Sequence, residues 1–426
     1  MLQLIGRIGV GERRAVALAF CCNFLLFGSY YILRPVRDTG ATVWGVGQLQ
    51  LLFTATFIGT LLAAPLYAAL ASHLRLSRLL PALFWFWLAN VVLFALLYRV
   101  APGSRLLAAV YYVWFSVVNL YMLSVFWSLM VDLFSAAQSV RVFPLIAAGG
   151  ELGAIAGPLL TRLLVGHIGL SGLLWLAAAE FAVVIALVYL LMYEKRRLHA
   201  FGGEGQSSSL EHGLGGNPLQ GFSELIRNPY AGAQALYVLL MTWVNTVAYY
   251  FQTDLVAHAY PQLAGRAQAI ADIDLAVNIG SAAVLFFGLA SLLRRFGLTT
   301  ALLLNPVVMV GSLLALIVSP SLLMIQVVQV VRRVAQYAVA TPSRQICFTV
   351  MPQASRYKTK SVIDTVFYRF GDLSSAWVQS GLLVAGFGLG AGAALGIGAS
   401  VLWGGIGAWV GGRYEKLRRE QAAEVS

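Results

Sequence analysis

Apolar positions in this chain do not alternate with polar ones. They run on. Twelve stretches stay apolar long enough to cross a bilayer, near 15–35, 49–72, 79–99, 106–131, 142–165, 171–193, 231–256, 268–292, 298–318, 320–342, 361–387 and 389–411. An α-helix rises about 1.5 Å per residue, so roughly 20 residues cross a hydrocarbon core about 30 Å thick. Each stretch therefore predicts one transmembrane helix, and these are segments one to twelve below. The connections are short except for 194–230, which is polar and holds Gly202-Gly203-Glu204-Gly205-Gln206-Ser207-Ser208-Ser209. That composition makes a flexible linker. It divides the chain into two six-helix halves, 1–193 and 231–426, and the expected fold is an all-α polytopic membrane protein of twelve transmembrane helices.

Composition agrees with the pattern. A hydrophobic fraction of 59%, a charged fraction of 11% and a mean hydropathy of +0.79 exclude an ordinary water-soluble core. The net charge of +12 raises the question of nucleic acid, but where the charge sits argues for a lipid bilayer as partner and against nucleic acid. All four lysines (Lys195, Lys358, Lys360, Lys416) fall in loops or the C-terminal tail. With both termini in the cytoplasm, twenty Lys and Arg residues lie on that side and three, Arg99, Arg105 and Arg266, on the other. The bias alternates loop by loop as the positive-inside rule requires. The first 14 residues are too short and polar for a cleaved signal, so segment one should be retained.

The chemistry of enzymes is not apparent. There is no GxxxxGK phosphate loop, GxSxG elbow or HExxH pair, and the five histidines have no metal-binding spacing. No catalytic residue, cofactor or metal is expected. Cys21, Cys22 and Cys347 suit no disulfide framework and read as small packing residues.

Two internal offsets relate the halves. Leu70-Ala71-Ser72 recurs as Leu289-Ala290-Ser291 and Tyr30-Tyr31 as Tyr249-Tyr250, both 219 residues later. Gly150-Glu151-Leu152 returns as Gly371-Asp372-Leu373, 221 residues later. Matches in nearly one register, at equivalent places of a six-plus-six layout, predict two parallel repeats.

The charges inside the segments are the candidate machinery. A charged side chain at the centre of a membrane helix costs about 2.5–3.5 kcal/mol on insertion scales, so each must find a partner or water. Arg332 and Arg333 sit midway along segment ten, and a guanidinium fork suits an anionic substrate. They project about 100° apart, so one of them is expected to face a central cavity. Glu151 in segment five and Asp372 in segment eleven lie near mid-depth, and they are expected to neutralise the arginines when no substrate is bound. Such a competition would couple binding to a change of state. Burial of either acid also offers a proton site.

Asp364, Tyr368 and Asp372 fall at i, i+4 and i+8 of one helix, with Arg369 three residues before Asp372. Asp364 follows Lys360 by four and reads as a structural or inner-gate pair. Arg34, Arg37 and Asp38 cluster at the end of segment one. They either line a mouth as substrate contacts or close it through an Arg34–Asp38 gate. Asp272 and Asp274 point to opposite sides of segment eight, one of them towards Asp254 or an outer vestibule. Glu180 and Arg162 have no evident role.

Segments in two parallel sixes joined by a cytoplasmic linker resemble the major facilitator superfamily, and Gly153-Ala154-Ile155-Ala156-Gly157-Pro158 is similar to the glycine-proline motif of its antiporters. Four blocks resemble the ATP/ADP antiporter (nucleotide transporter) family and its bacterial relatives more narrowly. They are Tyr30-Tyr31-Ile32-Leu33-Arg34-Pro35-Val36-Arg37-Asp38; Phe126-Trp127-Ser128-Leu129-Met130-Val131-Asp132-Leu133-Phe134 with Arg141-Val142-Phe143; Ala271-Asp272-Ile273-Asp274-Leu275-Ala276-Val277-Asn278; and 356–373, preceded by Arg332-Arg333-Val334-Ala335-Gln336-Tyr337 and Pro342-Ser343-Arg344. The chain departs from the nucleotide exchangers in having no intramembrane lysine, and it is short for them.

The resemblance implies a secondary transporter in a bacterial-type inner membrane. Its substrate is expected to be a small anion, such as a nucleotide or another phosphorylated metabolite. Protons or a counter-substrate would be the coupling partner. A proton-coupled carrier of another metabolite remains open, as does a non-transporting receptor or assembly protein on the same fold.

Overall fold

A computed structural model describes residues 12–73, 76–201 and 220–425. Arg7, Arg75 and the Gly/Ser-rich stretch 202–209 lie outside the described residues, as do the side chains of Leu70-Ala71-Ser72, Arg196, Arg197 and Lys358. Among the described residues the elements are helical throughout. Ten helices are long and apolar enough to cross a membrane.

The difference from the expected twelve has two local causes. Segments five and six form one continuous run, Ala136–Phe201, that bends at Gly169 without a loop. Gly169 has φ 64, ψ −173, a backbone state open to glycine at no steric cost, so the chain turns between segments while its helical hydrogen bonding continues on each side. Segment eleven fails as a span because it is broken and charged. It runs as Gln353–Val362, a π-helical turn Ile363–Phe367, and Tyr368–Val384.

The chain folds into two units. The first comprises Met1–Val43, Ile58–Gly215 and Tyr260–Leu275, and the second Trp44–Phe57, Gly216–Ala259 and Ala276–Ser426. Segments two and eight are thus each divided, and the first part of each belongs to the other unit.

Inside the first unit, segment one (Arg13–Trp44) lies against segment five through glycines. A Cβ on Gly149 would meet the Phe20 carbonyl oxygen at 2.5 Å, and one on Gly157 the Gly28 oxygen at 2.5 Å. Gly153, between them, abuts the Phe24 oxygen more closely still. Spacings of four on both helices keep the contact on one face, where small residues let two backbones touch. Bulky side chains (Phe84, Tyr111, Phe126, Phe181) fill the core around this seam.

The second unit repeats the device. Gly371 of segment eleven abuts Leu239 and Thr242 of segment seven (Pro229–Ala259), as Gly150 of segment five abuts Asn23 of segment one. Asn23 and Thr242 are 219 apart and Gly150 and Gly371 are 221 apart, the two offsets seen in the sequence. Ser375 and Tyr250 lock the seam further, donating to the carbonyls of Trp243 (2.7 Å) and Ala376 (3.0 Å). Pro306 in segment nine cannot bond the Leu302 carbonyl four residues back, and the buried Tyr237 hydroxyl donates to that oxygen at 2.9 Å. Leu62, Val100, Phe286 and Phe287 stand exposed on the outside, where lipid rather than water suits them.

Candidate functional site

Arg34, Arg37, Arg162, Arg332, Arg333 and Arg369 are arginines in or next to the apolar segments. The first three lie in the first unit and the last three in the second, and the units treat them differently.

In the first unit each arginine meets a carboxylate. Arg37 donates to Asp38 through Nε (2.8 Å) and Nη2 (2.6 Å), and its guanidinium lies over Tyr112 and Phe115. Arg34 lies 3.9 Å from Asp38 and 3.5 Å from Asp274, which is 0% exposed. Arg162 meets Asp272 at 3.3 Å. The sequence had left Arg162 unassigned and had turned one of Asp272 and Asp274 towards Asp254 or an outer vestibule. Asp254 instead pairs with the exposed His258 at 3.5 Å, while both acids of segment eight face arginines of segments one and five. Arg266, beside them in sequence, donates to the Thr42 hydroxyl at 3.0 Å. Local placement explains the pairs: Asp272 and Asp274 are on the part of segment eight that joins the first unit.

In the second unit Arg344 also meets a carboxylate, that of Asp364 at 2.7 Å, whereas Arg332 and Arg333 sit among amides and an aromatic ring. Arg332 and Arg333 are 7% and 3% exposed, so both are enclosed by protein. Arg332 Nη1 donates to Asn245 Oδ1 at 2.7 Å, and Nη2 donates to Gln329 Oε1. The amides are themselves aimed: Asn245 Nδ2 donates to Gln336 Oε1 (3.0 Å) and Gln329 Nε2 to the Ala248 carbonyl (3.2 Å). With both amide nitrogens committed, the oxygens are left to face the guanidinium. Arg333 lies over the ring of Tyr337, 5.8 Å from its centre.

Asp372 accepts from Thr246 at 3.1 Å and lies 3.9 Å from Arg369. The Tyr368 hydroxyl stands within electrostatic reach of Asp372, Tyr337, Arg369 and Arg332. The cluster thus draws on segments seven, ten and eleven.

Two π-helical turns position this cluster. Segment ten passes from α-helix to a π turn at Ala335–Ala340, directly after the arginines and including Gln336 and Tyr337. Segment eleven has its own at Ile363–Phe367. Such a turn inserts one extra residue, about 100° of rotation, and wide turns of this kind recur at functional positions. Asp364, inside the second turn, accepts from Arg344 Nη1 at 2.7 Å, so its ion-pair partner is Arg344 rather than Lys360.

Glu151 is exposed in the first unit and makes no ion pair among the described residues. Glu180, unassigned by the sequence, accepts from the Ser29 hydroxyl at 2.8 Å. Among the described residues no group of three or more His, Cys, Asp or Glu is placed to hold a metal ion. The cysteines are free: Cys22 and Cys347 are buried and Cys21 is exposed.

The family model of the Major Facilitator Superfamily matches residues 16–374. The chain belongs to this superfamily. It is an integral membrane protein with a transporter fold, and solved structures of similar shape agree. A bacterial homologue of the iron transporter ferroportin in an inward-facing state superposes with a TM-score of 0.67 at 12% identity, over 95% of this chain and 100% of that one. The nucleoside transporter NupG gives 0.61 at 13% identity, over 96% and 99%. At these identities the likeness concerns the fold.

Among curated proteins, ADP,ATP carrier protein 1 of Chlamydia pneumoniae is 23% identical over 189 residues, 39% of this chain and 36% of the carrier. Its namesake in Chlamydia muridarum is 25% identical over 186 residues, 39% and 35%. The match therefore spans about a third of those carriers' length.

Proposed function

We propose that this superfamily member is a secondary active transporter that moves a small anion across a bacterial-type inner membrane by alternating access, with both termini in the cytoplasm. The observation that carries the reading is the setting of Arg332. Its fork is enclosed by protein midway along a membrane helix and is oriented by two neutral amide oxygens. Two amide acceptors fix the direction of the guanidinium, and a fork held in one orientation suits a planar or phosphorylated anion. Arg333, Arg369 and Tyr337 are the supporting contacts, and Asp372 is the group whose partners change on binding. The names of the curated relatives make nucleotides the class to test first.

The three arginines of the first unit have another part in this reading. Arg34–Asp274 and Arg162–Asp272 tie segment eight to segments one and five, and they act as gate pairs that break and reform in the cycle. Arg37, held by Asp38 between two aromatic rings, anchors segment one instead of touching substrate. The halves 1–193 and 231–426, joined by 194–230, are the moving bodies.

The deciding experiment is thermal unfolding of the purified protein across nucleotides, sugar phosphates and organic acids, in wild type and Arg332→Ala. A ligand that binds the folded state raises the Tm by mass action. An anion that raises it in wild type and does not in Arg332→Ala supports the reading. A ligand whose effect survives the substitution removes Arg332 from the site.

A further inference from the structure

We propose that Glu180 is a proton-binding site on the seam between segments one and six. It lies midway along the apolar stretch 171–193, half-buried, beside the core residues Ala177, Ala178 and Phe181. Its one hydrogen bond is from the buried, neutral Ser29 hydroxyl to Oε2 at 2.8 Å. Gly28 makes the room, since a Cβ there would stand 3.2 Å from the same oxygen. The carboxyl therefore has a fitted pocket with one donor in it, and among the described residues no cation pairs with it.

The surrounding elements bring no charge to the pocket. Segment one contributes Ser29, with Tyr30 stacked on Phe115 and Tyr31 against Tyr30. Segment three, packed along segment six, carries Tyr98 and Arg99 near the level of Ser171, which bonds Ala95, about two and a half turns from Glu180. Segment five carries Arg162, committed to Asp272, and the exposed Glu151. Segment four places Tyr111 on the Leu33 carbonyl, a turn along segment one from Ser29. Among the described residues the Ser29 hydroxyl is the hydrogen-bond partner of the Glu180 carboxyl.

A carboxylate in hydrocarbon requires a cation, water or a proton. Here the structure supplies a hydroxyl that satisfies one oxygen and leaves the other to carry the proton. The step is simple: the carboxylate takes a proton from water and becomes the acid, and it returns the proton to water on release. In the acid form the seam is neutral and segment one can seat against segment six. In the ionised form the seam has to admit water. Proton occupancy is thereby linked to the seating of the helix that also carries Arg34 and Arg37. The inference does not depend on the proposed substrate.

Infrared spectroscopy of the full chain in lipid nanodiscs, titrated with acid and base, tests it without any substrate. Wild type should show a protonated-carboxyl C=O band that titrates, and Glu180→Gln should lack it. A wild-type band set that survives intact in Glu180→Gln would overturn the proposal. Ser29→Ala keeps the acid and removes its donor, so it should move the same band to higher frequency. That arm decides the matter if Glu180→Gln does not fold: a band indifferent to Ser29→Ala would also overturn the assignment.

Discussion

Arg34, Arg37 and Arg162 of one unit lie against carboxylates, whereas Arg332 and Arg333 of the other lie among amides and a phenol ring, with Arg344 of that unit paired to Asp364. The contrast separates two uses of the same residue. An ion pair enclosed by protein is costly to desolvate and destabilising to break. Arg34, Asp38 and Asp274 therefore read as a structural joint that a transport cycle has to open, with the more exposed Arg162–Asp272 pair beside it. A guanidinium aimed by Asn245 and Gln329 is held in one geometry by neutral acceptors. The first arrangement resists change and the second awaits it.

The comparison predicts a graded series of effects. The largest is on stability. Asp274→Asn leaves Arg34 beside a neutral amide, and removal of one partner of an enclosed pair costs about 3–5 kcal/mol. Thermal unfolding should show a clear fall in Tm, partly restored in the double variant Arg34→Gln/Asp274→Asn. If the double variant is as unstable as the single one, the joint is not a charge pair in energy, whatever its geometry.

Next comes Arg332. Hydrogen bonds to a charged group are worth about 1.5–3 kcal/mol, so Arg332→Ala should weaken anion binding roughly tenfold or more with little loss of Tm. Binding titration on the ligand found by the thermal panel measures this. Arg332→Lys, which keeps charge and loses the fork, should stay well below wild type. Recovery of full affinity with lysine would reduce the site to a point charge.

Asn245→Ala removes one aiming amide and should cost about 0.5–1.5 kcal/mol of binding, a few-fold change on the same assay. Smallest of all, Asp254→Asn should leave Tm and binding almost unmoved. Its partner His258 is exposed, and surface pairs contribute about 0–1 kcal/mol.

Much of the fold is legible from apolar run lengths, because a membrane span needs little more than length and composition. The same simplicity hides what breaks the runs. Gly169 turns the chain without a polar loop, and nothing in hydropathy separates a π turn from an α turn, so neither Ile363–Phe367 nor the Arg344–Asp364 pair beside it was legible. The charged positions themselves were readable, since any Arg or Asp in lipid stands out. Their partners were not: Arg162–Asp272 and Arg34–Asp274 join residues 110 and 240 positions apart in sequence. These pairings follow from 260–275 belonging to the first unit, which is a tertiary fact. Glu180 shows the converse. Its isolation was visible in the sequence, but its pocket needed Gly28 and Ser29 to be placed against it.

The seam of Gly149, Gly153 and Gly157 on the carbonyls of Phe20, Phe24 and Gly28 carries a mechanical consequence. Helices that mesh ridge into groove behave as gears, and to slide they must lift each ridge over the next. Here there are no teeth on the segment-five side of the contact. Two backbones bear on each other as a shaft bears in a sleeve, and the Asn23 amide, which donates to the Ile146 carbonyl at 2.9 Å, is the pin that fixes their axial position. A single methyl at Gly153 would put a tooth in that bearing.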